Sequence, residues 1–496
     1  MSTYRQMAFC IAFILLFCNV ALGEQTKAKP NILFIICDDL NTHVSTSGYE
    51  HIKTPNFDKL AAQGMTFSRA FCQYPVCGPS RASILSGLYP ESTGVLDNKA
   101  DIRKTRPGTF SLPQLLKEHG YWTGCVGKVF HSPRHEHGKV AWDEYYRFEN
   151  DELPIVTKAR MRFELKYGSV ELKKNRQKWR KMQKEVMAPL NAQTPPGHGP
   201  SGLRDEQHRD GKNARQVLEW LRKKSYGKKP FFIALGIHKP HVPFLCPEKY
   251  FKMYPHDKIT FHRNRPNLWD SIPRDALSGR YKAFGFELGK ENEPRRREFM
   301  QAYHACVSFI DAQIGLVLQE LEKQGLSENT IIILTSDHGY HLGDHFLWGK
   351  VTLFDIGARV PFIVRVPDMT KAGSRSEAMV ELVDIYPTLL ELTGLKAHEP
   401  LHGTSLVPVL RNPNRKGSKA YAYSVVRRGN KLGYAIRNQH WRYGKWPKGE
   451  ELYDLKNDPH ERNNLANNPK YRKRLTELRN VLSTTHRIAR SSHVRK

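Results

Sequence analysis

Two hydrophobic periods alternate along this chain. The run Asn31 to Cys37 is apolar without alternation, as suits a strand buried on both faces of a parallel sheet. Tyr121–Val126, Phe231–Ile237, Ile331–Thr335 and Pro361–Val366 read as further strands of that kind. Helical patterns lie between them. Thr54-Pro55 opens a helix that Gly64 closes, and Ser111 caps one that ends at Gly120. Longer patterns cover Glu206–Lys224 and Arg296–Glu322. Strands alternating with helices predict an α/β fold: a large, mainly parallel sheet flanked by helices.

The texture changes late in the chain. Asp384 to Leu390 begins a helix; after Asn412-Pro413-Asn414 come short strands at Ala420–Val426, Tyr434–Arg437 and Trp441–Gly444, then a basic helix from about Lys470 to Arg487. This places a large α/β domain over 24–411 and a smaller C-terminal α+β subdomain, a small antiparallel sheet with a helix, over 412–496. A basic insertion spans Lys158–Lys184, with fair helical propensity and a thin apolar face, and Gln193–Gly202 reads as a loop back to the core. At the start, Arg5, the apolar run Ala8–Phe17 and the small residues around Ala21-Leu22-Gly23 read as a signal peptide over 1–23, cleaved near Gly23. Export to a periplasmic, extracellular or lysosome-like compartment is the expectation. No later segment is long and apolar enough to act as a transmembrane anchor.

Composition sharpens the choice of partner. The 496 residues carry 78 Lys and Arg against 49 Asp and Glu, a formal charge of +29. Such an excess attracts polyanions; for an exported protein a sulfated or uronate-rich polysaccharide fits better than nucleic acid. Of the 8 cysteines, Cys10 and Cys18 leave with the signal, and Cys37, Cys72, Cys77, Cys125, Cys246 and Cys306 are scattered without a C-x-x-C pair, which argues against a zinc ribbon.

The reactive side chains fall just past strand ends. Asp38-Asp39 follow the first buried strand, Lys128 and His131 the strand ending near Val126, His238 and His241 the one ending at Ile237, and Asp337-His338 the one ending at Thr335. In a parallel α/β sheet these positions share the carboxyl edge, where ligands bind. Three carboxylates gathered there would repel one another without a cation, and hard oxygen donors favour Ca²⁺ or Mg²⁺. Cys77, beside Pro79 and a helix-forming run with Arg81, lies where amide donors favour an anion or a nucleophile.

Cys77-Gly78-Pro79-Ser80-Arg81, followed by Leu85-Ser86-Gly87, resembles the signature of type I sulfatases, with Ser86 where that family usually has Thr. In that family the cysteine is oxidised to formylglycine, whose hydrated aldehyde attacks the sulfate ester. The resemblance continues through Asp38-Asp39, Gly127-Lys128-Val129-Phe130-His131, Lys239-Pro240-His241, Asp337-His338-Gly339, Trp348-Gly349-Lys350 and the closing stretch Leu452 to Leu465. It spans nearly the whole mature chain and is weakest in the basic insertion. Most sulfatases carry Asn or Gln where this chain has His338, and that choice looks most like the iduronate-2-sulfatases.

The resemblance implies an alkaline-phosphatase-like fold and one calcium ion held by Asp38, Asp39, Asp337, His338 and the modified Cys77. It implies catalytic roles for Cys77, Arg81, Lys128, His131, His241 and Lys350, and substrate contacts from His238, Lys350 and His345. The implied substrate is a sulfated carbohydrate, in particular a uronate 2-sulfate, and the implied maturation partner is a formylglycine-generating enzyme. No nucleic-acid partner is expected. Two rival readings stand beside it: a phosphate or phosphonate ester hydrolase of the same superfamily, and a non-catalytic polyanion-binding protein.

Overall fold

The computed structural model describes residues 29–135, 137–148, 153–170, 172–187, 197–277, 286–287 and 289–491. The expected signal peptide and the first residues of the loop expected at 193–202 lie outside them. From Asn31 onward the described residues belong to one compact unit.

The main elements in chain order are β1 (Asn31–Asp38), α1 (Pro55–Gln63), β2 (Met65–Phe71), α2 (Cys77–Ser86), β3 (Trp122–Gly127), β4 (Glu144–Tyr146), α3 (Pro154–Tyr167), α4 (Arg176–Met187), α5 (Arg209–Lys223), β5 (Phe231–Pro240), α6 (Glu293–Lys323), β6 (Thr330–Ser336), β7 (Arg359–Val360), β8 (Phe362–Arg365), β9 (Ser374–Glu381), α7 (Ile385–Thr393), β10 (Ala422–Arg428), β11 (Lys431–Arg437), β12 (Trp441–Trp446), β13 (Gly449–Asp454) and α8 (Arg472–Ser491).

The first nine strands make one sheet in the order β7-β2-β8-β6-β1-β5-β3-β4, with β9 on the far side of β2. Its centre is parallel: β1 pairs with β5 and β6, and β3 with β5 and β4. The sheet is therefore mainly parallel, as the unbroken apolar runs implied. The strand expected at Pro361–Val366 is present as β8 but runs antiparallel to both β6 and β2.

Alternate residues of β1 enter two different cores. Leu33, Ile35 and Cys37 face α1, α5 and α6, while Ile32, Phe34 and Ile36 face a layer that includes Ile84 and Leu85 of α2 and Leu389 of α7. A sheet buried on both faces needs apolar side chains at both alternations, which is why its strands read as continuous runs. β10 to β13 form a four-stranded antiparallel sheet. With α8 it shares a third core that reaches Tyr74, Val76 and Leu347.

Register carries the functional consequence. Cys37 of β1 pairs with Ser336 of β6, Asp38 with Pro240 of β5, and Gly127 of β3 with Gly236 of β5. The carboxyl ends of four adjacent strands finish level, so the residues just beyond them share one edge.

Candidate active site

Asp38 ends β1, and the next residue turns sharply: Asp39 has φ 67°, a left-handed conformation that Asp tolerates better than most side chains. Its backbone N–H donates to Asp337 Oδ1 at 3.2 Å, which ties the end of β1 to the loop after β6. Both carboxylates are fully buried, as is Asp337.

α2 brings Cys77 and Arg81 to this edge. Cys77 is the first residue of the helix, and every residue of α2 is buried. Ser80 Oγ donates to the Asp337 carbonyl at 2.5 Å, pinning the helix start. Arg81, on the same face one turn later, donates Nε to Asp337 Oδ2 at 2.8 Å and Nη2 to Asp38 Oδ1 at 3.4 Å. It also donates to the carbonyls of Lys128 and Val129. Buried Asp337 and Asp38 lift the Arg81 guanidinium further above its ordinary range, against the opposing effect of burial.

Two lysines complete the cationic side. Lys128 donates to Asp38 Oδ2. Lys350 Nζ reaches Asp39 Oδ1 at 2.5 Å and Cys77 Sγ at 3.1 Å. Burial disfavours a charged ammonium, yet Asp39 and the Cys77 sulfur hold the Lys350 pKa well above its usual value. Burial and Asp38 push the Cys77 thiol up, but Lys128 and Lys350 outweigh them and its pKa falls below the ordinary one.

The histidines close the cluster. His338 Nδ1 lies 2.9 Å from the Gly339 carbonyl, which leaves Nε2 facing Cys77 Sγ at 3.3 Å, Asp39 Oδ1 at 3.5 Å and Asp337 Oδ1 at 3.6 Å. Burial lowers its pKa, but Asp337 and the Cys77 sulfur raise it to about 9. His241 Nδ1 lies 2.7 Å from the Val242 carbonyl, turning Nε2 toward Asp39 Oδ2 at 3.8 Å, and His238 Nδ1 lies 3.6 Å from Asp38 Oδ2. Burial pushes His241 down to about 4. It also pushes His238 well below its ordinary range.

This donor set suits a divalent cation. Ligand atoms of Asp38, Cys77, Asp337 and His338 lie within 4.8 Å of one another, as do those of Asp39, Cys77 and His241. Asp39 Oδ2 is buried and has no hydrogen-bond partner. A buried carboxylate oxygen left unmatched beside two other carboxylates is a position for a hard cation.

Two further residues from the sequence reading are not among the groups whose ligand atoms converge with Cys77. His131 lines a small pocket with Gly78, Arg81 and His135, near enough to Lys128, Asp38 and Arg81 to feel their charges. Burial and Lys128 lower it to about 3, and its Nδ1 has no partner. His345 is stacked on Phe354 at 4.0 Å, its Nε2 lies 3.0 Å from the Glu461 carbonyl, and it lines a separate cavity of about 470 Å³ with Arg296 and His460. The cluster around Cys77 contributes nothing to that cavity.

One positioning residue was missed. Asp210, in the first turn of α5, accepts the backbone N–H groups of His238 at 2.7 Å and Lys239 at 2.8 Å. It thereby fixes the histidine segment. An acid at a helix start is ordinary helix chemistry, so nothing in its sequence context separates it from a surface cap.

Residues 30–395 match the model of the Sulfatase family, and residues 343–487 match the N-sulphoglucosamine sulphohydrolase C-terminal family. A protein named Sulfatase from Formosa agariphila is 34% identical over 92% of this chain and 87% of its own length. Iduronate 2-sulfatase of Mus musculus is 32% identical over 79% of this chain and 74% of its own. Among solved structures, a phosphonate monoester hydrolase from Silicibacter pomeroyi superposes with a TM-score of 0.75 at 22% identity, covering 94% of this chain and 96% of that one.

Proposed function

This chain belongs to the sulfatase family, and from that premise we propose that it hydrolyses sulfate esters of a sulfated carbohydrate, with uronate 2-sulfates as its preferred class. Family membership makes it a sulfuric ester hydrolase. The observation that carries the proposal is Cys77 at the start of α2, its Sγ 3.1 Å from Lys350 Nζ and 3.3 Å from His338 Nε2, among three buried carboxylates. Similarity to iduronate 2-sulfatase and the large positive charge support the substrate class.

In this reading Cys77 is converted by a formylglycine-generating enzyme during export, and Asp38, Asp39, Asp337, His338 and position 77 hold one calcium ion. Formylglycine supplies a geminal diol whose one hydroxyl is a nucleophile and whose other permits release of sulfate. Calcium supplies Lewis-acid neutralisation of a sulfate oxygen.

The chain's own residues do the rest. Arg81 is locked by two carboxylates and two carbonyls, so it orients the end of α2 and presents fixed positive charge where an anion develops. Lys128 and Lys350 hold the negative oxygens of the ester. With its raised pKa Lys350 keeps its proton at neutral pH and is the donor toward the departing sugar oxygen. His241 presents an unprotonated Nε2 to the same space. His131 is neutral at pH 7 and takes the proton of the second hydroxyl.

Two measurements test this. The Cys77 peptide from the native host should be about 18 Da lighter than its cysteine form; unmodified cysteine in active protein sinks the aldehyde mechanism. Across sulfated disaccharides, a terminal uronate 2-sulfate should be turned over fastest, and a preference for another position refutes the substrate class. The rival phosphonate or phosphate ester reading has the fold likeness in its favour. Faster hydrolysis of phenyl phosphate than of phenyl sulfate would establish it.

A further inference from the structure

α3 and α4 fold against each other around a small core of Val156, Phe163, Val170 and Trp179, closed by Leu245. Leu245 lies in the short strand Phe244–Cys246, directly after His241-Val242-Pro243. The hairpin is thus seated on the segment that carries two histidines of the active site.

Its outer surface is strongly cationic. Residues 154–187 contain eleven Lys and Arg against three Glu. Lys158, Arg162, Lys173, Lys174, Arg180 and Lys181 are exposed, and among the described residues none of them has a carboxylate within ion-pair distance. Elsewhere exposed cations do find partners, as Lys59 does with Glu322 and Arg479 with Glu450.

The arrangement costs the hairpin stability. α4 opens on Arg176 and Lys178 with no acid in its first turn, the reverse of what the helix dipole favours. Arg180 and Lys184 then stand four residues apart, a repulsive spacing on a helix. A polyanion lying along α4 turns each of these costs into attraction. A membrane does not fit as well, because Trp179 and the partly buried Met182 and Val186 of α4 belong to the hairpin core, and the exposed apolar residues Ile155, Met161, Leu165 and Leu172 are interspersed with exposed Lys158, Arg162, Lys173 and Lys174 and so make no continuous apolar face for interfacial insertion.

We propose that the α3–α4 hairpin is a docking arm for the anionic polysaccharide that carries the sulfate ester, holding the polymer while its end occupies the site. The proposal rests on the sulfated-carbohydrate reading above and assigns the polymer-binding role to this hairpin.

The test uses the full-length matured enzyme and immobilised heparin as the probe, over a range of salt concentrations. A variant carrying Lys173→Gln, Lys174→Gln, Arg180→Gln and Lys181→Gln is compared with one carrying Lys470→Gln, Arg472→Gln, Lys473→Gln and Arg487→Gln, which removes the same charge from exposed positions at the C-terminal end. Heparin affinity of the arm variant should fall about tenfold or more, with a flatter slope of log K against log salt. The second variant should fall far less. Both should hydrolyse a small aryl sulfate at the wild-type rate. Equal weakening of the two variants, or none, overturns the arm. Tighter binding of the wild type to anionic phospholipid vesicles than to heparin, lost in the arm variant, also overturns it, in favour of a membrane surface. Absence of aryl sulfate hydrolysis in the wild type counts against the functional reading alone, because heparin binding is measured without turnover.

Discussion

At the scale of single residues, the site is a charge balance built without solvent. Three buried carboxylates face Arg81, Lys128 and Lys350, and each acid touches at least one cation. Removing one member leaves its partners uncompensated. Arg81→Met should therefore destabilise the fold by about 3–5 kcal/mol, read from denaturant unfolding, because Asp337 and Asp38 would be left buried beside an apolar chain. Cys77→Ser differs: it keeps size and position but forecloses the aldehyde. Turnover should drop by on the order of 10⁴-fold or more. Stability should stay within about 1 kcal/mol of the wild type. Near-normal activity in that variant ends the formylglycine mechanism. Most of these residues were legible because each follows a recognisable buried strand or sits in a distinctive motif. Asp210 was not, since its role lies in a backbone contact made across the fold, and the setting of His345 was hidden because the Glu461 carbonyl beside its ring comes from far along the chain.

At the scale of elements, the site depends on how closely β3 and β5 approach. Gly127 has φ 81°, and a Cβ there would lie 2.0 Å from the Gly236 carbonyl oxygen. A Cβ at Gly236 would in turn meet the Lys128 backbone at 2.2 Å. Only paired glycines let the Lys128 N–H reach the Gly236 carbonyl at 3.1 Å and so deliver the ammonium to Asp38. Gly127→Ala should cost about 1–3 kcal/mol from backbone strain and overpacking. It should also lower kcat, and a variant with normal stability and activity would show that the close approach is dispensable. The central strands were readable because burial on both faces removes polar alternation. β2 and β9 escaped notice for the opposite reason. β2 carries Ser68 and Arg69 among its apolar residues, and β9 begins Ser374-Arg375-Ser376-Glu377, half exposed along an edge. The basic insertion was recognised as a surface feature with fair helical propensity, but its private core was hidden because Leu245 is contributed from far along the chain.

At the scale of the whole molecule, calcium and folding should be linked. Asp39 Oδ2 has no hydrogen-bond partner among the described residues, so a bound cation adds stability there that the unfolded chain cannot match. Chelator-treated enzyme should gain about 2.7 kcal/mol when free calcium is a hundredfold above Kd, seen as a rise in Tm. Asp39→Asn should lose most of that gain, and an unchanged Tm on adding calcium contradicts the metal assignment.

Acid should act on the fold through histidines remote from the chemistry. His304 is fully buried, neither ring nitrogen has a hydrogen-bond partner, and burial holds its pKa well below 6.5. Burial likewise lowers His341 to about 3 and His137 to about 4. As pH falls below 6.5 the unfolded chain takes up protons that these folded imidazoles refuse. Each then removes about 1.4 kcal/mol of stability per pH unit until its folded pKa is reached. Asp311 works in the other direction: burial raises it to about 6, so between 3.8 and 6 the folded state holds a proton that the unfolded chain has released. Several depressed histidines outweigh it, and stability should fall from pH 6.5 toward pH 4. His304→Phe isolates one contribution, because the ring keeps its packing against His43, Tyr49 and Tyr254 while losing the ability to ionise. Unfolding free energy measured against pH should decline less steeply in that variant, by about 1.4 kcal/mol per unit below pH 6.5; a slope identical to the wild type would mean that His304 is protonated in the folded protein.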